Sequence, residues 1–317
     1  MNTALTLDDL KRINPNTKTS PVFRTNVDAE LTKKLYTRTQ AVINETTNTN
    51  NWGVSFYTLF HMSNDSRYFI DDYDKGLLPL YEAKMIYHFD HRFSTYEKAT
   101  EQNINEGNLP PLNSEEHADS HKFIKPHKWI SEIVVNDYFD KINYSKKYCI
   151  GFRGITGNAS ERTLIFSYLP KSAVGNSCPI IKFSEDIKSF ETLLFIAGMN
   201  NLITDYVARQ KIGGPNLNFF ILKQLPVFIK SDYSVFKTLI IIASFELTYS
   251  AWDIKAFADD VWKEADDDLK AAITKQWEEN KEVTGGHEWA PPEWCEIDET
   301  GCLLPPFKWD ENRRAVL

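Results

Sequence analysis

The chain has 317 residues, 42% of them hydrophobic and 13% aromatic, enough apolar mass for a substantial core divided into two or three lobes. Its formal charge of −8 excludes a uniformly basic nucleic-acid binder. No apolar run approaches the ~18 residues of a membrane span, the longest stretch lying around Leu239 to Ala243.

The opening "LTLDDLKRINPNTKTSPVFR" is turn-rich, and Asn14-Pro15 and Ser20-Pro21 predict an extended connector. Asp8, Asp9, Lys11 and Arg12 interrupt any signal-peptide core, so a cytoplasmic location is expected. A helix capped by Asn26 or Asp28 is predicted to run to about Ile43, with Leu31, Leu35 and Val42 along one side. "WGVSFYTLF" has the content of a strand, and residues 98–121 read as a polar loop. The short apolar runs "WISEIVV", "YCIGFRGI", "RTLIFSYL" and "CPIIKF" predict strands, with Gly151, Gly154 and Gly157 at turns or bulges between them. Ser189 caps a predicted helix to about Lys211, ended by Gly213-Gly214. A strand "NFFILKQL" follows, and beyond Ser231 the pattern is helical. The aromatic clusters, Trp252 and Phe307 among them, read mostly as core or inter-lobe packing.

Charge divides the chain into three blocks. Lys+Arg against Asp+Glu is 12 to 17 over residues 1–120, 15 to 8 over 121–230, and 9 to 19 over 231–317. A positive middle block can attract a phosphate backbone locally, although asymmetry of this size also occurs in ordinary proteins. The expected organisation is a connector and first part of a recognition region over 1–120, a basic lobe over 121–230 and an acidic helical lobe over 231–317. The fold class is α+β, a β-rich lobe with packed helices.

No complete catalytic signature stands out. The four cysteines include no CxxC pair and read as reduced thiols. A restriction-type nuclease needs an acid followed by an acid-x-Lys pair on a strand. Asp72 or Asp74 with Glu82 and Lys84 fits that spacing, as do five other acid-x-Lys pairs. His117, His121 and His127 share a polar segment that reads as a solvated loop, without metal. "HFDHRF", holding His88, Asp90, His91 and Arg92, is either a buried salt-bridge corner or a nucleic-acid contact. Neither a glycine-rich methyl-donor loop nor an Asn/Asp-Pro-Pro-aromatic loop occurs, nor a Walker or Gly-x-Ser-x-Gly motif.

Five segments taken together resemble a known family. They are "LTLDDLKRINPNTKTSPVFRTNVDAELTKKLY", "LPLYEAKMIYHFDHRFSTYE", "GFRGITGNASERTLIFSYLPKSAVGNS", "LITDYVARQKIGGPNLNFFILKQLPV" and "ELTYSAWDIKAFADDVW" with the later "PPFKWDENRRAVL". Their order resembles the region after the methyltransferase domain in fused type IIG restriction-modification enzymes, the type II restriction enzyme, methylase subunits of the adenine-specific family. The resemblance implies a target recognition domain that reads double-stranded DNA. It also implies partner methyltransferase and nuclease domains elsewhere in the parent polypeptide, which would use S-adenosylmethionine and Mg, with no cofactor in this chain. The acidic stretch 263–304 is longer than the resemblance leads one to expect.

Base readout pairs Arg with guanine and Asn or Gln with adenine, while Lys and Arg hold phosphates. The expected DNA-binding residues are Arg153, Asn158 and Arg162 at a reading loop, Arg209 and Lys211 beside Gly213-Gly214, Lys171 and Lys223 on phosphates, and Lys84, His91 and Arg92 from the earlier segment. Arg209 and Lys211 equally suit a helix C-terminus. A metal-dependent nuclease using Asp72, Glu82 and Lys84, or an acidic helical end that docks on the methyltransferase domain, are the alternatives.

Overall fold

A computed structural model describes residues 5–21, 23–157, 160–286 and 290–317; Asn158, one of the expected DNA-binding residues, lies outside them. The first helix, α1 (Leu7–Ile13), stands where the sequence predicts an extended connector. Thr6 and Asp9 form a reciprocal capping box that starts it, and the turn at Asn14-Pro15 comes only after its end. The same device, Thr25 with Asp28, starts α2 (Asn26–Tyr36). This helix ends seven residues before Ile43 and buries Ala29, Thr32 and Tyr36, leaving Leu31 exposed. Val42 is still core, because the chain turns into β1 (Gln40–Ala41) and carries it inward.

Next come β2 (Ser55–Tyr57) and β3 (Leu77–Tyr81). The 98–121 stretch is only partly loop. It holds α3 (Glu101–Glu106), capped by Thr100, and α4 (Ser114–Ala118), capped by Asn113. "WISEIVV" is not one strand: β4 (Trp129–Ser131) passes into α5 (Glu132–Lys141), whose inward residues Val135 and Phe139 lie four apart.

The central sheet is antiparallel in the order β2, β8 (Ile180–Lys182), β5 (Tyr148–Phe152), β6 (Phe166–Pro170). Both its faces are covered, which is why "YCIGF" shows no polar alternation. Tyr148, Ile150 and Phe152 face the larger hydrophobic cluster, and Cys149 faces the smaller. In β8, Ile181 and Ile180 divide between the clusters in the same way. The smaller cluster is closed by a three-stranded sheet in which β3 pairs antiparallel with β4 and parallel with β7 (Ala173–Val174).

On the other face lies α6 (Ser189–Asn200), apolar on nearly every side and therefore central among helices. Lys188, not Ser189, is its N-cap residue. The predicted continuous helix to Lys211 breaks at Asn201, whose side chain accepts from Thr204 N at 2.8 Å and starts α7 (Leu202–Lys211). "NFFILKQL" forms a helical turn, α8 (Phe219–Leu222), before β9 (Pro226–Val227) pairs with β1. As expected, helices follow: α9 (Lys237–Thr248), α10 (Lys255–Glu264) and α11 (Asp267–Thr284), then an irregular Trp- and Pro-rich stretch over 290–310 before the short α12 (Glu311–Val316). The larger cluster draws Ile13, Phe195, Phe257 and Phe307 together, so residues from all three charge blocks share one core. The architecture is α+β. Among the described residues no helix is long and apolar enough to cross a membrane.

Candidate functional site

The "HFDHRF" segment is a buried polar corner. Arg92 is 0% exposed, and its guanidinium is spent on carbonyl oxygens: Nη1 donates to Asp119 (2.7 Å) and Lys122 (2.9 Å), Nη2 to His117 (2.8 Å) and Ser250 (3.1 Å). Burial pulls the Arg92 pKa below its ordinary value, while Asp253 and Asp90 support the charge. His91 is buried with its Nε2 2.8 Å from Asp253 Oδ1. Burial opposes ionisation of Asp90, but the bond and charge of His117, with Arg314 and Arg92 nearby, hold its carboxyl well below the usual range. Arg92 and His91 therefore do not face a DNA duplex here. They close a junction between the early segment, the 117–122 turn and Ser250–Asp253.

His117 corrects a second expectation. It does not lie in a solvated loop: it is buried, 3.0 Å from Asp90 Oδ2 through Nε2, with its ring stacked 4.5 Å from that of Trp309. His121 and His127 stay near the surface, His121 Nε2 at 2.8 Å from Ala290 O and His127 stacked on Tyr96. Sequence periodicity has no means of signalling such a long-range partner.

A second hub is Asp205 on α7. Its Oδ1 accepts from the backbone N–H groups of Thr163 and Leu164, both at 2.7 Å, and its Oδ2 from Arg209 Nε at 2.8 Å. Arg162 adds its charge, Nε 3.4 Å from Oδ1, and donates through Nη2 to Asn200 O. Burial works against the Asp205 carboxylate, yet these partners keep its pKa lowered. Arg209 also donates to the carbonyls of Ser160 and Glu161. Above this hub two segments zip together: Thr156 N donates to Pro215 O and Leu217 N to Gly154 O, each at 2.8 Å. Gly154 also packs closely on the 177–179 segment, where a Cβ would lie 2.9 Å from Pro179 Cδ and 3.1 Å from Ser177 O. The result is an exposed pair of loops presenting Ile155, Gly213, Gly214, Pro215, Asn216 and Asn218.

Arg162 and Arg209 are thus struts beneath the loops, not their tips. Arg153 is likewise turned inward: its Nε and Nη2 donate to Ile86 O at 3.0 and 2.6 Å, with the guanidinium 5.5 Å from the rings of Tyr87 and Phe93. Lys211 Nζ is almost wholly enclosed, donating to Ile13 O (2.6 Å), Asn14 Oδ1 (2.7 Å) and Gln224 O (2.9 Å), and burial brings its pKa down to about 7. It fastens α1 to the α7–α8 region. Lys223 pairs with Glu45 at 2.6 Å. Of the expected phosphate contacts Lys171 alone, among the described residues, is half-exposed with no carboxylate within 4.0 Å.

The acid-x-Lys reading fares differently from its expectation as well. Glu82 follows β3 and heads a 3₁₀ turn that carries Lys84, so the pair does not lie on a strand. Glu82 accepts from Tyr96 OH at 2.6 Å and sits 3.5 Å from Lys84 Nζ, while Asp72 is on an exposed bend. Among the described residues no group of three or more His, Cys, Asp or Glu side chains is arranged to hold a metal.

Carboxylates from the flanks answer part of the positive middle block. Lys122 pairs with Glu97, Lys128 with Asp71, and Lys146 with Asp260 and Glu264. What the sequence reading missed are the exposed amides Asn216 and Asn218 at the loop tips. The Asn and Gly content of "GGPNLN" was a signal for them, since short polar residues beside glycine mark exposed turns. No sequence-family profile matches the chain, and no curated protein matches it.

Proposed function

We infer that the chain reads double-stranded DNA for a restriction-modification methyltransferase, the catalytic domains lying in other parts of the parent polypeptide. The observation that carries this reading is the loop pair 154–157 and 212–218. It is exposed, joined by cross-loop backbone bonds and propped from below by the Asp205, Arg162 and Arg209 hub. Base-reading groups need a rigid support under a mobile-free tip, and this arrangement supplies one. It complements the five-segment resemblance, two of whose segments contain these loops.

The reading groups are then amides, Asn216 and Asn218, of the kind that pair with adenine edges in a major groove. Pairing of Lys122, Lys128, Lys146 and Lys223 with carboxylates reduces the number of phosphates these lysines engage, and with it the salt dependence of affinity. Selection from a randomised duplex library followed by mobility shifts tests this. Asn216→Ala and Asn218→Ala are expected to relax base preference at one position each, by about tenfold. Absence of any sequence preference in the unaltered chain overturns the reading.

A docking role for the same chain is favoured by a separate observation. Val235, Phe236 and Leu239 around the start of α9 are 82%, 62% and 60% exposed. Co-expression with the upstream methyltransferase domain tests it: tight co-purification that Phe236→Ser abolishes, with no DNA affinity in the chain alone, would favour docking over reading.

A further inference from the structure

A cavity of about 320 Å³ opens where the start of β5 and the end of β8 meet the first turn of α6. That volume is in the range of small-molecule sites. Its floor is fully committed. Ser189 donates to Glu264 through both its backbone N–H and its hydroxyl, and Lys146 Nζ lies 3.1 Å from Ser189 Oγ, 2.8 Å from Asp260 and 3.3 Å from Glu264. Tyr148 OH donates to Ser189 Oγ at 3.0 Å.

A serine beside a lysine invites a nucleophile-and-base reading, and the surroundings rule it out. Burial opposes the Lys146 charge, but Tyr148, Asp260 and Glu264 outweigh it and raise the pKa above the ordinary lysine value, so Nζ is an ammonium with no lone pair to accept a proton. Ser189 is itself buried. The cluster is a support that already supplies the anion for the start of α6.

What remains uncommitted on the cavity wall is a pair of cations. Lys182 Nζ donates only to Ile142 O, at 3.0 Å, and Lys188 Nζ lies 5.4 Å from the Phe190 ring. Among the described residues neither has a carboxylate within 4.0 Å, unlike Lys146 on the same wall or Lys230 nearby, which pairs with Glu191. Glu185 and Asp186, the other acids lining the cavity, are exposed at its mouth, and Asp186 accepts from Ser184 Oγ at 2.6 Å. Lys188 is exposed at the same mouth, so water screens its charge and theirs alike, while Lys182 is only part-exposed. Tyr144 and Phe183 provide flat apolar surface on the same walls.

We propose that this cavity binds a small phosphate monoester, the phosphate held by Lys182 and Lys188 and the organic group lying against Tyr144 and Phe183. Phosphate suits two lysines on one cavity wall, one at a strand end and one at a helix start, because each offers several donors to an anion with several acceptor oxygens. The site is separate from the recognition loops and makes no use of DNA.

Calorimetric titration of the full chain in chloride buffer tests it, with inorganic phosphate and phenyl phosphate as probes. Phenyl phosphate is expected to saturate one site and to bind more tightly than inorganic phosphate. Lys182→Ala and Lys188→Ala should each weaken it by about tenfold, while Lys147→Ala, exposed and outside the cavity wall, leaves it unchanged. Should Lys182→Ala fail to fold, Lys188→Ala at the exposed helix start carries the same decision. Absence of saturable binding by either probe at about 10 mM overturns the proposal. So does undiminished affinity in Lys188→Ala, and equal affinity for the two probes removes the monoester in favour of simple anion binding. Because no nucleic acid is present, none of these results bears on the DNA reading.

Discussion

Replacing Arg92 by Met separates a structural arginine from a DNA-binding one. The substitution keeps much of the side-chain bulk and removes four N–H···O=C bonds, leaving the carbonyls of Asp119, Lys122, His117 and Ser250 buried without that donor. At about 1 kcal/mol net for each stranded acceptor the loss is about 4 kcal/mol. That agrees with the roughly 3–5 kcal/mol cost of removing one member of a buried charged network, here shared with Asp90 and Asp253. In a chain of this size each kcal/mol moves the melting midpoint by about 2 °C, so a fall of about 8 °C is expected. Urea melts followed by tryptophan fluorescence give the free energy, and calorimetry gives the midpoint. Arg92→Lys should recover little, because three donors on a point charge do not span the fork that reaches these carbonyls. A loss under about 1 kcal/mol at unchanged denaturant slope would refute the carbonyl-cage account. A folded Arg92→Met chain with DNA affinity reduced tenfold would restore Arg92 as a contact.

Three further outcomes follow from groups buried elsewhere in the chain. Burial first, then Arg162, lowers the His88 pKa to about 4; the unfolded chain therefore takes up a proton at higher pH, and stability falls by up to about 3 kcal/mol as pH drops from about 6.5 to 4. His88→Gln should flatten that part of a pH series of urea melts. Lys211 is brought down to about 7 by burial, so between about pH 7 and 8.5 the unfolded chain holds the extra proton and stability rises with pH; Lys211→Met should abolish the rise, and a falling profile in the unaltered chain would contradict it. Burial pushes the thiols of Cys149 and Cys178 up to about 12 and that of Cys302 up to about 11; it raises Cys295 as well, but Cys295 alone among the four is not buried and so is the accessible one. A disulfide reagent should titrate about one thiol natively and all four in denaturant.

Much of the scaffold was legible because its determinants are local. "YCIGF" and the apolar run of α6 announce fully buried elements, and the acidic helices after Ser231 follow their periodicity. The misses share a physical cause. Thr6–Asp9 and Asn201–Thr204 are capping contacts that start helices against the local turn residues, and the Val135–Phe139 spacing was masked by the β-branched run before it. The site was less legible than the fold. Arginines at 92, 153 and 162 look like exposed readers in a linear string, yet each finds backbone carbonyls contributed by residues 25 or more positions away in the cases of Asp119, Ile86 and Asn200. Linear charge blocks do not show such pairing, since the partners of Lys122, Lys128 and Lys146 come from other blocks.

The stretch from Phe307 to Arg314 has a bearing on how the molecule comes to be built. Phe307 N donates to Tyr249 O, Trp309 covers His117, and Arg313 Nε and Nη2 grip the buried Glu246 at 2.9 and 3.0 Å. During vectorial synthesis Glu246 emerges 67 residues before its cation, so α9 must wait with a carboxylate met only by the later amides of Gln276 and Asn280. Nascent chains arrested before residue 307 should accordingly remain protease-sensitive across α9, and gain resistance only once Arg313 has cleared the ribosomal tunnel.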